Sequence, residues 1–163
     1  MAGKILPINP SDHQANVSSG GINCLGDRFE VGDKEYTFVE VDESTGVVKA
    51  RALTWKARAS STVDYTDLGS DSIMGFTPDT LIGTAEDGAG VLAQVTGEIT
   101  LSVSSETIAA DANLYWDSSN NRATGTAGSD PMYIGKNKSA VTTADTSLTC
   151  VLDLVPDWFN VVN

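Results

Sequence analysis

The side chains able to do covalent or acid–base chemistry are few. The one histidine, His13, stands in a segment that also holds Pro7, Pro10 and the run Asn16-Val17-Ser18-Ser19-Gly20-Gly21. A catalytic base must be held within hydrogen-bond reach of its nucleophile, and a loose arm does not hold one, so no Ser-His-Asp or Cys-His centre is expected. The two cysteines, Cys24 and Cys150, are far apart and in no metal-type spacing. They form one bridge or stay as free thiols; the alternating apolar run around Cys150 favours buried, free thiols. No His/Cys cluster suits zinc. Gly125-Thr126-Ala127-Gly128 lacks the Lys-Ser/Thr pair of a phosphate-cradling loop. Carboxylates are plentiful but sit in turn-like segments such as Asp64-Tyr65-Thr66-Asp67 and Glu86-Asp87-Gly88. Solvated turns account for them better than a glycosidase pair or a calcium loop. The expectation is a protein without catalysis, metal or cofactor.

Binding chemistry is more promising. Between Ser44 and Val63 there is no acidic residue, while Lys49, Arg51, Lys56 and Arg58 surround Trp55. In a chain of net charge −12 this is a local inversion. It reads either as a docking strip for an acidic partner with Trp55 as apolar anchor, or as a basic strand face balanced by the protein's own acidic loops. The C-terminal Trp158-Phe159 pair is tucked into the core or pressed on a partner. Contact with a partner or a neighbouring subunit is therefore expected at Lys49, Arg51, Trp55, Lys56, Arg58, Trp158 and Phe159.

The elements that would position these residues are mostly strands. Residues 1–21 read as an extended arm, either a disordered tail or one that orders against a neighbouring subunit. Residues 22–163 read as one β domain. Ile22 to Val31, the turn Gly32-Asp33 and Tyr36 to Val41 are strand, turn and strand; Asp42 to Gly46 supplies a second turn, and Val47-Val48 restarts the chain as a hairpin. Residues 47–63 lean to strand, and 64–90 read as loops. Strands follow at 91–95, 98–103, 114–117, 132–135 and 148–154, clearest over 91–154. In the last, Leu148, Cys150, Leu152 and Leu154 share a face. Short strands separated by turn signals indicate an all-β fold, a compact barrel or sandwich.

Composition agrees. The 163 residues suffice for one domain, and 40% hydrophobic content can fill a core. Residues 1–60 carry seven basic and eight acidic side chains; residues 61–163 carry three and fourteen. Nucleic acid requires the opposite sign on its binding face, so no nucleic-acid partner is expected. The acidic part suits a solvated outer surface, or serves solubility alone. No signal peptide or membrane-length run is evident, so a soluble protein made in the cytoplasm, with no membrane partner, is expected.

Within this pattern lies a series of short motifs: Ile82-Gly83, Val95-Thr96-Gly97-Glu98, Ala109-Ala110-Asp111 leading to Leu114-Tyr115-Trp116-Asp117, Asn121 to Thr124, Ile134-Gly135 and the closing strand Leu148 to Leu154. In order and spacing, residues 80–155 resemble the small bacteriophage head decoration, or capsid cement, proteins. Residues 1–75 show no such match. The resemblance implies a β-barrel or sandwich on the exterior of an assembled virion capsid. Its partners would be the major capsid protein and copies of itself, as a trimer by preference or a dimer. The competing reading is a receptor- or glycan-binding module of a phage fibre, with Trp55, Trp116 and Trp158 stacking on sugars.

Overall fold

The computed structural model describes residues 6–15, 17, 25–57, 60–64, 73–129 and 131–154. Arg58, Trp158, Phe159 and Cys24 lie outside the described residues. Eleven strands run in order: β1 Arg28–Val31, β2 Lys34–Val41, β3 Ala52–Ala57, β4 Thr62–Asp64, β5 Ile73–Phe76, β6 Gly90–Gln94, β7 Thr96–Ser102, β8 Asn113–Asp117, β9 Arg122–Thr124, β10 Tyr133–Asn137 and β11 Ser147–Asp153. The fold is all-β.

Two sheets form. The first has the order β1-β2-β4-β3-β5-β6, and β6 pairs back onto β2 from Tyr36–Gln94 to Glu40–Gly90, so that five strands close on themselves. Closure hides the edges that an open sheet would leave unpaired. The second has the order β7-β11-β10-β8-β9, and a bridge between Val103 and Ala123 ties its two edges together. The barrel and sandwich expectations thus both describe part of the molecule.

Side-chain alternation on β2 shows why the chain folds this way. Val39 and Val41 point into the first sheet's interior with Leu53, Val63, Val91 and Ala93. Tyr36 and Phe38 point to the other side, where they pack with Phe29, Leu92 and Val17. A strand apolar on both faces must be covered on both, and the N-terminal segment supplies the outer cover. Gln14 and Gly90 exchange backbone hydrogen bonds (2.9 and 2.7 Å), and the Val17 amide donates to the Gly88 carbonyl at 2.9 Å. Over its described residues, the stretch expected as an arm therefore lies along its own domain.

The second sheet buries Ile99, Leu101, Leu114, Trp116, Ile134, Leu148, Cys150 and Leu152, and this core continues into Ala52, Ile73 and Phe76 of the first sheet. Phe76 and Trp116 meet edge to face at the junction, with centroids 5.1 Å apart. Such a pair contributes about 0.5–1.5 kcal/mol beyond its buried area. Gln94, fully buried between β6 and β7, donates from Nε2 to the carbonyls of Thr96 and Glu98 (3.1 and 3.0 Å) and fixes the crossing from one sheet to the other.

Two local expectations change. The hairpin expected across Asp42 to Gly46 does not form as such: Val47 bridges to Ala85, while β2 takes β1, β4 and β6 as neighbours. Residues 64–90, expected as loops, contain β5. Its sequence, Ile-Met-Gly-Phe, is only four residues long and is interrupted by a glycine. All four residues are buried because the strand sits between two cores.

Candidate interaction surface

The basic strip is divided by the strand that carries it. Lys49 is exposed in the turn before β3 and makes no ion pair among the described residues. Arg51 is half-buried, and its main chain is locked to Thr77: the Arg51 amide donates to Thr77 Oγ1 at 2.9 Å, and the Thr77 amide donates to the Arg51 carbonyl at 2.9 Å. Its Nη1 is sealed from solvent and has no hydrogen-bond partner among the described residues. Trp55 is half-buried against the core of the first sheet. Lys56 sits where β3 and β4 slip register, and its Nζ reaches Asp42 Oδ1 at 2.9 Å and the Asp42 carbonyl at 3.2 Å. The protein's own Asp42 therefore balances Lys56, which leaves Lys49 as the strip's exposed cation without an ion pair among the described residues.

The second sheet presents a different surface, which sequence reasoning missed. Its outward side chains are Glu98 and Thr100 on β7, Thr149, Val151 and Asp153 on β11, Tyr133 and Lys136 on β10, and Tyr115 on β8. Tyr133 and Val151 are 38% and 39% exposed, high for apolar groups on central strands. Tyr133 faces Tyr115 across the strands, centroids 6.2 Å apart. Alternation alone would put Tyr133 and Lys136 on opposite faces. A bulge between Tyr133 and Gly135 inserts one residue and brings both outward. No alternating pattern announces that shift; the Ile-Gly step is its only trace in the sequence.

That step and its counterparts have physical roles. Gly135 has φ +150°, and a Cβ there would land on the Val151 carbonyl oxygen and within 3.0 Å of Leu152 Cα. Gly97 has φ +86°, and a Cβ would meet the Asp33 carbonyl oxygen and Lys34 Cγ at 2.7 Å. Gly97 and Gly135 thus stand where strands touch, at conformations that disfavour side chains, whereas Gly83, at φ +71°, lies between β5 and β6 with nothing within 4 Å of an added Cβ. In the Tyr115-Trp116-Asp117 element, Trp116 is core and only 4% exposed. Asp117 accepts from Asn120 Nδ2 at 2.8 Å and pairs with Arg122 at 3.3 Å. The hydrogen bond from Asn120 leads the interactions that hold its carboxyl below the usual range.

His13 lies in a shallow hollow with Ile8, Asn9, Asp12, Gln14 and Ile82, none of which bears a hydroxyl or thiol. No group of three His, Cys, Asp or Glu side chains is placed to hold a metal ion among the described residues. Cys150 is free and buried, and burial pushes its thiol up to about 12, far from a reactive thiolate. No protein-family model and no curated protein matches the sequence.

Proposed function

We propose that this protein is a structural decoration protein that binds the outside of an assembled phage head and stabilises it. The observation that carries the reading is the position of the resembling motifs in the fold. Ile134-Gly135 makes the β10 bulge, Gly97-Glu98 begins the second sheet, and Leu114 to Asp117 forms β8. These three motifs sit at determinants of the second sheet's geometry, which supports the reading for them, while Ile82-Gly83 and Ala109 to Asp111 lie between strands. Fold does not by itself imply function, and the attachment to a capsid rests on the resemblance.

On this reading the exposed Lys49 and the half-buried Trp55 belong to the shell-facing side, for which Arg58, Trp158 and Phe159 are the other candidates. The acidic second half faces solvent. Multivalent attachment of several copies would give avidity without a large single interface.

The test is binding of purified protein to preassembled heads, read by co-sedimentation and by the melting temperature of the heads. Binding with a raised melting temperature is the expected result. Retention on a glycan column without head binding would replace this reading with the fibre-module one. Reversing Lys49 alone is the informative strip variant. Arg51 is built into the fold, and reversing Lys56 also breaks its pair with Asp42, so either change would mix folding with docking.

A further inference from the structure

The outer face of the second sheet combines exposed apolar side chains with two charges that have no ion-pair partner. Lys136 lies opposite Val151 in the β10–β11 register. Asp153 lies two residues further along β11, on the same face as Val151, beside Tyr133. Burial, followed by the nearby Asp153 charge, holds the Tyr133 phenol above its ordinary range. The neighbouring Lys138 is already spent on Glu98 at 2.5 Å. Neither Lys136 nor Asp153 forms an ion pair among the described residues.

These four side chains occupy the corners of a near-rectangle on two adjacent strands. Tyr133 and Val151 lie on one diagonal, Lys136 and Asp153 on the other. A two-fold axis lying in the face and perpendicular to the Lys136–Asp153 diagonal would exchange those two corners. Each copy's Lys136 would then meet the other copy's Asp153, with tyrosine against tyrosine and valine against valine. Isologous contacts require such self-complementarity, in which residue i meets j and j meets i. Strands about 4.8 Å apart, with same-face residues about 6.8 Å apart, put that axis roughly 55° from the strand direction. The two sheets would cross at roughly 70°, near the orthogonal class of sheet packing.

We infer that this face pairs with the same face of a second copy, through two reciprocal Lys136–Asp153 contacts around a Tyr133–Val151 centre. The inference does not depend on the capsid reading. The size of the face sets the strength. Five strands about 4.8 Å apart and about 17 Å long cover on the order of 400 Å². That is half of the roughly 800 Å² per partner of a standard stable interface. Self-association is therefore weak and concentration-dependent, effective mainly where copies are crowded together. The charge of −12 per copy opposes it at low ionic strength; near 0.15 M salt, screening over about 8 Å spares the close pairs more than the long-range repulsion.

Sedimentation velocity of the full chain at 0.15 M salt, over a concentration series from roughly ten micromolar to one millimolar, tests this. The weight-average sedimentation coefficient should rise with concentration. Lys136→Glu or Asp153→Lys alone should weaken association roughly tenfold or more. The double reversal should restore it to within about threefold, because the pair is re-formed with its polarity exchanged. Both side chains are exposed, so each variant should melt within about 2 °C of the parent, which separates an interface effect from misfolding. A chain that stays monomeric throughout the series overturns the inference. So do single reversals without effect, or a double reversal no better than the singles.

Discussion

Replacing Gly135 by alanine should be the most damaging single-methyl change on the second sheet, and its cost can be worked from two separable parts. The first is conformational. At φ +150° an L-residue is strained, and such strain costs about 1–3 kcal/mol. The second is steric. The new Cβ would fall on the Val151 carbonyl oxygen, part of the β11 backbone that pairs with β10. Neither backbone can move without breaking ladder bonds to β8 or β7, and overpacking of this kind adds about 1–3 kcal/mol. A central value of about 4 kcal/mol lowers the melting temperature of a chain this size by about 8–16 °C. Gly83→Ala is the matched control. Its φ is +71°, and nothing lies within 4 Å of the added carbon. Only the conformational part remains, about 1 kcal/mol or 2–4 °C. Thermal unfolding followed by circular dichroism measures both. Equal losses for the two variants would show that the close approach of β10 to β11 is not what requires glycine, and would remove the steric half of the reasoning.

Three further outcomes follow from buried groups. Cys150 should resist alkylation in the native protein at pH 8, where a thiol near 12 is ionised in roughly one molecule per ten thousand; peptide mapping that finds it labelled as fast as a small thiol would contradict its burial. Burial pushes the Glu106 carboxyl up, but hydrogen bonds from Ser104, Thr124, the Gly125 amide and Thr126 outweigh it, so the group sits below its ordinary value. A depressed folded pKa gives stability that is present above the unfolded pKa and lost as pH falls through the folded one. Glu106→Gln should therefore cost about 1 kcal/mol at pH 7, and the difference from the parent should vanish in acid unfolding series below the carboxylate range. Val17→Asp should destabilise by about 3 kcal/mol or more, because it buries an unpaired charge against Phe38 and Leu92; an unchanged denaturant midpoint would mean that the N-terminal segment does not cover that face.

The legible parts of the fold were those in which one side chain in two is buried. β7 and β11 read directly, because Ile99, Leu101 and Leu148, Cys150, Leu152 alternate with polar residues against one solvated face. β5 did not, because burial on both sides removes alternation from a four-residue strand. The partner of Val47 was illegible for another reason: pairing with Ala85 is a contact across 38 residues, and local turn chemistry carries no information about it. The basic strip was read as one patch because its charges are neighbours in sequence. In three dimensions a register slip lies beside Lys56, which pairs with Asp42, and Arg51 Nη1 is sealed from solvent, so the strip's described cations stand in different surroundings. The surface that does combine apolar and unpaired charged groups depends on a bulge, which changes facing without changing composition.

The same physics explains why the N-terminal segment and the second sheet offer such different surfaces. On the first sheet, the outward apolar groups of β2 and β6 are Tyr36, Phe38 and Leu92, all buried in a cluster with Phe29 of β1 and with Leu6, Ile8 and Val17 of the N-terminal segment. The contact is close enough that Gly90 is needed where they meet: a Cβ there would lie 2.7 Å from Val17 Cγ1. On the second sheet the corresponding outward positions are threonines, charges and the Tyr115–Tyr133 pair, and no segment of the described chain covers them. A sheet whose outer face is apolar must recruit its own cover or aggregate. One whose outer face is mostly polar, with a small aromatic centre, stays in solution and keeps a weak contact site available. Covering the first and exposing the second leaves the face proposed for self-association in the C-terminal half, whose acidic charge limits how tightly copies can meet.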